Sequence, residues 1–219
     1  MYAKIYITEL TDGERRVLKK AVFDGWFPDG TEEKEILELL KSDPPGVVID
    51  RKNAEWEALL RDGTLVVELR RADGTRKRVD PDGESAEDFV DDGDADLRVI
   101  GCAMLVLLPG KRPYRAVIPD KLAELQRCVG GYIEITYPFE DNCLVIGNDE
   151  AKLIGMEGNR RINVEIYAGP LLLAGDDYLG GFCDLTPAQI QKYEARFHEP
   201  EQISGGEVEK SIRIEVFAV

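Results

Sequence analysis

Leu65-Val66-Val67-Glu68-Leu69-Arg70-Arg71-Ala72-Asp73-Gly74-Thr75-Arg76-Lys77-Arg78-Val79 holds the clearest topological signal in the chain. Two β-prone runs flank Ala72-Asp73-Gly74, and Gly74 tolerates the positive φ that a tight antiparallel turn needs. The stretch therefore predicts a hairpin, with strands over residues 65–69 and 75–79. Moving outward toward the N-terminus, Lys4-Ile5-Tyr6-Ile7-Thr8 alternates like a half-buried strand, and residues 16–26 read as its partner in kind. Thr31 is placed to cap a helix whose first turn carries Glu32, Glu33 and Glu35, where the helix dipole favours acids. Ile36, Leu37, Leu39 and Leu40 give that helix a buried stripe, and Asp43-Pro44-Pro45-Gly46 stops it. Val47-Val48-Ile49 is predicted as a strand, and Asn53 as the cap of a short helix bearing Trp56, Leu59 and Leu60.

After the hairpin, Asp80, Asp82, Glu84, Glu87, Asp88, Asp91, Asp92, Asp94 and Asp96 crowd together, and such a block repels itself. A boundary falls there: residues 1–97 form an N-terminal α+β domain ending in an acidic linker, and residues 98–219 a C-terminal α+β domain. Leu97-Arg98-Val99-Ile100 and Met104-Leu105-Val106-Leu107-Leu108 read as strands, the second turning at Pro109-Gly110 into Arg115-Ala116-Val117-Ile118. Asp120 is predicted to cap a helix with Leu122, Leu125 and Val129 on one face, ended by Gly130 in the left-handed conformation. Strands follow over residues 132–137, 143–146, 164–167 and 171–173. Thr186-Pro187-Ala188-Gln189 combines a capping box with proline at the first helical position, ahead of an apolar stripe of Ile190, Tyr193 and Phe197. Gly205-Gly206 reads as a hinge before an alternating terminal strand over residues 212–217, which returns to a sheet or pairs with a second subunit. Strands outnumber helices and short turns join several neighbours. The fold class is α+β, with mainly antiparallel sheets, dispersed short helices and two subdomains able to share a sheet.

Composition narrows the function. The 219 residues are 43% hydrophobic and 32% charged, as in an ordinary globular protein. No apolar run is long enough to span a membrane, and the opening Met1-Tyr2-Ala3-Lys4-Ile5 lacks a signal peptide's apolar core, so a cytoplasmic protein is expected. Cys102, Cys128, Cys143 and Cys183 have no C-x-x-C spacing and read as reduced, mostly buried thiols. With His198 as the single histidine, set at a helix end, no metal site and no Ser-His or Cys-His catalysis is expected, and no cofactor motif is present. A formal net charge of −15 opposes direct nucleic-acid binding and admits basic protein partners or imitation of a phosphate array.

Residues 104–200 resemble a small family of phages and bacterial mobile elements, domain-of-unknown-function family 3846. The resemblance rests on Pro109-Gly110-Lys111, Val129-Gly130-Gly131-Tyr132-Ile133-Glu134, Tyr137-Pro138-Phe139 and Asn148-Asp149-Glu150-Ala151-Lys152-Leu153. Asn159-Arg160, Gly169, Gly181-Phe182-Cys183-Asp184-Leu185-Thr186 and Gln189 also fit, while Asp149-Glu150-Ala151 and Glu157-Gly158 depart from the family pattern. The resemblance implies a phage or mobile-element setting in a bacterial host cell and no particular chemistry.

Candidate binding residues come from the residues themselves. Gly130 and Gly131 have a plain use in ending a helix, and beyond them Tyr132 and Glu134 share a strand face where a ring can stack on a base and a carboxylate can accept from its amino groups. Asn148, Glu150 and Lys152 sit in a polar turn, which is either simple turn chemistry or a binding loop. Asn159 and Arg160 are similar: Arg160 either clamps an anion by a two-pronged hydrogen bond or pairs with a nearby acid. Lys152 and Arg160 together would form a cationic island suited to a nucleotide-sized anion. The leading expectation is a non-enzymatic binding protein, a host-defence antagonist that sequesters a nucleotide-like signal. The alternative is an acidic DNA mimic or interaction module that occupies a basic host protein, and a third reading is an assembly protein dimerising through its terminal strand.

Overall fold

The computed structural model of the chain describes residues 1–10, 16–49, 56–61, 64–84, 89–90 and 97–212. It is α+β, mostly antiparallel sheet with a few short helices. Two compact units divide it, one of Met1–Ala103 with Tyr114–Asp120, the other of Met104–Pro113 with Lys121–Val219.

In the first unit, β1 (Tyr2–Leu10) pairs antiparallel with β2 (Arg16–Trp26) through two irregularities of register, between Ile5 and Tyr6 and between Ile7 and Thr8. Helices α1 (Glu33–Lys41) and α2 (Trp56–Arg61) follow, then β3 (Leu65–Arg70), β4 (Arg76–Val79) and β5 (Phe89–Val90). Strands β3 and β4 form the hairpin expected around Gly74, which has φ +84°. After β6 (Cys102–Leu107), β7 (Tyr114–Ile118) pairs with β2, and the unit's strands lie in the order β4-β3-β1-β2-β7, with β5 parallel to β2. Leu37 and Leu40 of α1 and Trp56 of α2 meet Ile5, Leu65 and Val67 on one face of this sheet. Ile36 and Leu40 are buried, each contributing about 1.5–3 kcal/mol of transfer free energy. The opposite face carries a smaller cluster of Tyr6, Leu18, Ala21, Val66 and Val99.

Beside that cluster lies a row of buried charge. Lys4 is the register partner of Asp24 on β2 and of Glu68 on β3, and Glu68 is the partner of Arg78. Lys4 Nζ lies 3.4 Å from Asp24 Oδ1 and donates to Leu97 O at 2.6 Å. Asp24 also accepts from the Tyr2 hydroxyl and, at 2.9 Å, from Val99 N. Arg70 and Arg78 donate to the two oxygens of Glu68 at 3.2 and 3.1 Å.

These bonds explain two departures from the sequence-based expectation. Residues 97–100 are extended but form no strand, because side chains of β1 and β2 satisfy their main chain. Residues 47–49 are likewise buried without strand pairing, with Val48 N bonded singly to Val22 O at 2.7 Å. Glu32, not Thr31, is the N-cap of α1, since the Thr31 hydroxyl donates to Pro28 O instead. Asn53, most of the acidic run beyond Glu84, and residues 213–217 of the expected terminal strand lie outside the described residues.

In the second unit, α3 (Leu122–Val129) follows β7, then β8 (Ile133–Thr136), β9 (Leu144–Asn148), β10 (Gly158–Ile162), β11 (Glu165–Ala168), β12 (Leu171–Asp176) and β13 (Phe182–Cys183). Helices α4 (Pro187–Phe197) and α5 (Gly205–Lys210) complete it. The order β6-β12-β9-β8 gives an antiparallel sheet, β13 pairs with β12, and β10 and β11 form a separate hairpin. Thr186 caps α4 with the expected box, and the Tyr193 and Phe197 stripe packs on Leu105, Val145, Leu171 and Leu173. Gly130 ends α3 at φ +77°, but the helix starts one residue later than Asp120 would require, with Lys121 at the N-cap. That rotation leaves Leu122 exposed and turns Leu125, Cys128 and Val129 inward. Gly205-Gly206 is the first turn of α5, not a hinge, because Ser204 and Glu207 close a capping box around it. The four cysteines are free thiols, and burial pushes Cys143 up to about 12. Among the described residues no helix is long and apolar enough to cross a membrane.

Candidate functional site

The second unit holds a cleft of about 420 Å³ whose walls come from β8, the turn after β9, β11 and the end of α5. Its construction begins with a glycine. Gly147 on β9 is the register partner of Glu134, and a Cβ there would sit 3.1 Å from Leu171 Cδ2. A side chain at that position would crowd the floor, which Leu171 and Ala168 complete. Asn148 ends the strand and shapes the turn: its Oδ1 accepts from Glu150 N at 2.9 Å and its Nδ2 donates to Val129 O at 3.4 Å. A Cβ on Gly131 would fall 2.4 Å from Asn148 Nδ2, so the second glycine after α3 makes room for this amide. The turn then closes on itself through Ile154 N to Glu150 O at 3.0 Å and Met156 N to Ala151 O at 2.9 Å. Ala151 tucks against Ala168, Ile203 and Val208, which ties the turn to β11 and α5.

Polar groups converge on the space. Thr136 Oγ1 and the Tyr167 hydroxyl are 2.9 Å apart, and the Lys152 ammonium is bonded to the Glu165 carboxylate. Burial pushes the Tyr167 phenol up, opposed by its Thr136 bond and reinforced by the carboxylates of Glu134 and Glu165, so both acids act on one point. Asp149 is the third carboxylate in the lining. Among the described residues neither Glu134 nor Asp149 has a hydrogen-bond partner for its carboxylate. Three carboxylates therefore face one ammonium that is already engaged. The lining attracts positive charge and hydrogen-bond donors.

Of the residues expected from sequence, Glu134, Asn148 and Lys152 line this cleft. Tyr132, 69% exposed, and Glu150 flank it without lining it. Asn159 and Arg160 are elsewhere, both fully buried. Asn159 Nδ2 donates to Leu107 O at 2.9 Å and Gly169 O at 2.6 Å, while its Oδ1 accepts from Arg160 Nη1 at 3.0 Å. Arg160 spends its other donors on Asn159 O at 2.9 Å, Lys111 O at 2.7 Å and Phe197 O at 3.4 Å. The expected cationic island of Lys152 and Arg160 is thus not assembled: one cation faces a carboxylate, and the other holds loops together from inside. Burial lowers the Arg160 guanidinium, against the pull of Glu201. Sequence reasoning missed Thr136, Asp149, Glu165 and Tyr167. Strand parity could have found Thr136 from Glu134, and Tyr167 from Glu165, since alternate residues share a face.

Most of this architecture falls in one segment. Residues 102–198 match the family described as a domain of unknown function, DUF3846. The DUF3846 segment contains β6 to β13 and α4, hence every wall of the cleft except Ser211 and Ile212. No curated protein and no solved structure matches the chain. Among the described residues, no three His, Cys, Asp or Glu side chains are grouped to hold a metal ion.

Proposed function

We propose that this chain acts by binding, and that the cleft of the DUF3846 segment holds a ligand presenting a cationic or amino group. The observation that carries this reading is the lining: Glu134, Asp149 and Glu165 against Lys152, whose charge Glu165 already counters. Ala168 and Leu171 supply apolar contact for the ligand's body, and the Thr136 and Tyr167 hydroxyls supply orientation, the mixture usual for small-ligand sites. A phosphate-rich nucleotide would bring several negative charges to this lining and meet no unengaged cation in it. The nucleotide-like ligand expected from sequence is therefore narrowed to molecules that lead with amino groups. In the phage or mobile-element setting that the sequence resemblance implies, such a protein blunts a host defence by withholding an amine-bearing signal or by covering a basic segment of a defence protein.

Calorimetry with N-acetyl-lysine methylamide and with AMP tests this. The lysine derivative is expected to bind, with affinity that falls as salt rises. Glu134→Gln is expected to weaken it by roughly 5- to 30-fold, the loss of one charge-assisted hydrogen bond. AMP binding more tightly than the lysine derivative would overturn the reading.

A further inference from the structure

Strand β8 is the last strand of its sheet, with β9 on one side and, among the described residues, no strand on the other. Its register determines which main-chain groups stand open. Asp149 N donates to Tyr132 O at 3.1 Å, and the ladder continues with Ile133 opposite Asn148 and Glu134 opposite Gly147. Successive residues of an antiparallel strand point alternately toward and away from a given neighbour. The N–H and C=O of Glu134 and Thr136 thus serve β9, and those of Ile133 and Ile135 face the open edge. The usual protections of an edge are missing from residues 133–136: they contain no proline, no lysine and no bulge. Instead Ile135 is 39% exposed, between Tyr132 at 69% and Tyr137 at 64%. The same strand turns Glu134 and Thr136 into the acidic cleft.

We propose that this edge accepts an extended basic segment of a partner protein, which adds to β8 as a further strand and sends a lysine or arginine side chain into the cleft. The proposal rests on the reading of the cleft as a cation-binding site and names the class of ligand that enters it. Main-chain bonds to Ile133 and Ile135 would supply affinity, and the pocket beside every second residue would supply selectivity. Charge chooses the occupant. Glu134, Asp149 and Glu165 repel an acidic or phosphorylated segment, and a nucleic acid strand offers no amide ladder to an edge. A second copy of this chain is disfavoured by its net charge of −15, and a two-fold pairing centred on Glu134 would set two carboxylates face to face.

The probes are a capped hexapeptide of alternating valine and lysine, the same peptide N-methylated at alternate amides, and N-acetyl-lysine methylamide, each titrated into the full chain. The expected result is that the peptide binds at least about tenfold more tightly than the single lysine, the contribution of two or so net hydrogen bonds. Methylation should return it to the single-lysine level, because it keeps the charge and removes the donors. Ile135→Pro deletes one outward N–H at a position where an edge strand tolerates proline, and should do the same from the protein side. Equal binding of the peptide and its methylated form, with the lysine derivative still bound, overturns the strand pairing and leaves the cleft reading standing. Failure of the lysine derivative itself overturns both. Peptide binding seen only in a chain cut after Ile212 would assign the edge to the protein's own last residues and also overturn the proposal.

Discussion

Each unit sets a lysine among carboxylates on a β-sheet, and the two arrangements have opposite consequences. In the first, Lys4 lies between Asp24 and Glu68 with all three buried. Asp24 takes bonds from Tyr2 and Val99 besides Lys4, and Glu68 takes both Arg70 and Arg78. In the second, Lys152 meets Glu165 at the rim of a cleft, while Glu134 and Asp149 stand without partners. Residue type does not separate scaffold from site. What separates them is whether the surrounding chain uses up each oxygen's capacity to accept. A saturated, dry row locks strands and strapped segments together; an unsaturated, half-open one keeps capacity for something else.

The contrast predicts its largest effect in the first unit. Asp24→Ala leaves the Lys4 ammonium buried beside fewer acceptors and strips partners from Tyr2 and Val99. Removing one member of a buried pair is expected to cost about 3–5 kcal/mol, read as a fall in the urea midpoint. A loss below about 1 kcal/mol would mean that the row is wet in solution, and the contrast with the cleft would collapse.

Arg160 sharpens the same comparison from inside the DUF3846 segment. Its guanidinium reaches the carbonyls of Asn159, Lys111 and Phe197, so Arg160→Met strands buried acceptors on three segments at once. Its Nε has no partner, which offsets part of the loss. The expected destabilisation is about 2–3 kcal/mol, with the affinity of the folded fraction for the lysine derivative unchanged. Intact stability combined with lost binding would restore the ligand-clamping role that the sequence suggested.

Arg160 also shows where sequence legibility ends. Elements defined by local chemistry were readable: the hairpin at Gly74, the capping box at Thr186 with Pro187, and the left-handed Gly130 each depend on a few adjacent residues. Elements satisfied from a distance were not. Residues 47–49 and 97–100 have strand-like sequences, but their main-chain bonds go to Val22 and to the side chains of Asp24 and Lys4, which nothing nearby in sequence reveals. Asn159-Arg160 looks like a polar loop because its acceptors lie at Leu107, Lys111 and Phe197, and burial there makes it strand β10. The cleft was half legible for the same reason. Glu134, Asn148 and Lys152 stood out by type and spacing, whereas Glu165 and Tyr167 join them only through the hairpin of β10 with β11.

The smallest expected effect lies at α5, where a third arrangement of charge falls between the other two. Arg161 Nη2 donates to Glu207 at 2.6 Å, and Ser204 donates to the same carboxylate from both its N–H, at 2.9 Å, and its hydroxyl, at 2.7 Å. These bonds, with Arg161 foremost, hold the Glu207 carboxyl down at about 2. A carboxyl depressed on folding contributes stability that is present above its unfolded value, near 4.5, and is lost as pH falls toward 2. The pair is exposed, so solvent screens it and global stability should hardly move when Arg161→Gln is made. The carboxyl resonance of Glu207 should nevertheless shift its titration midpoint up from about 2 toward the ordinary range in that variant. A wild-type midpoint already at 4 or above would show that the capping box is open in solution. That result would reach beyond α5, because the helix delivers Ser211 and Ile212 to the cleft and its first turn sets where they stand.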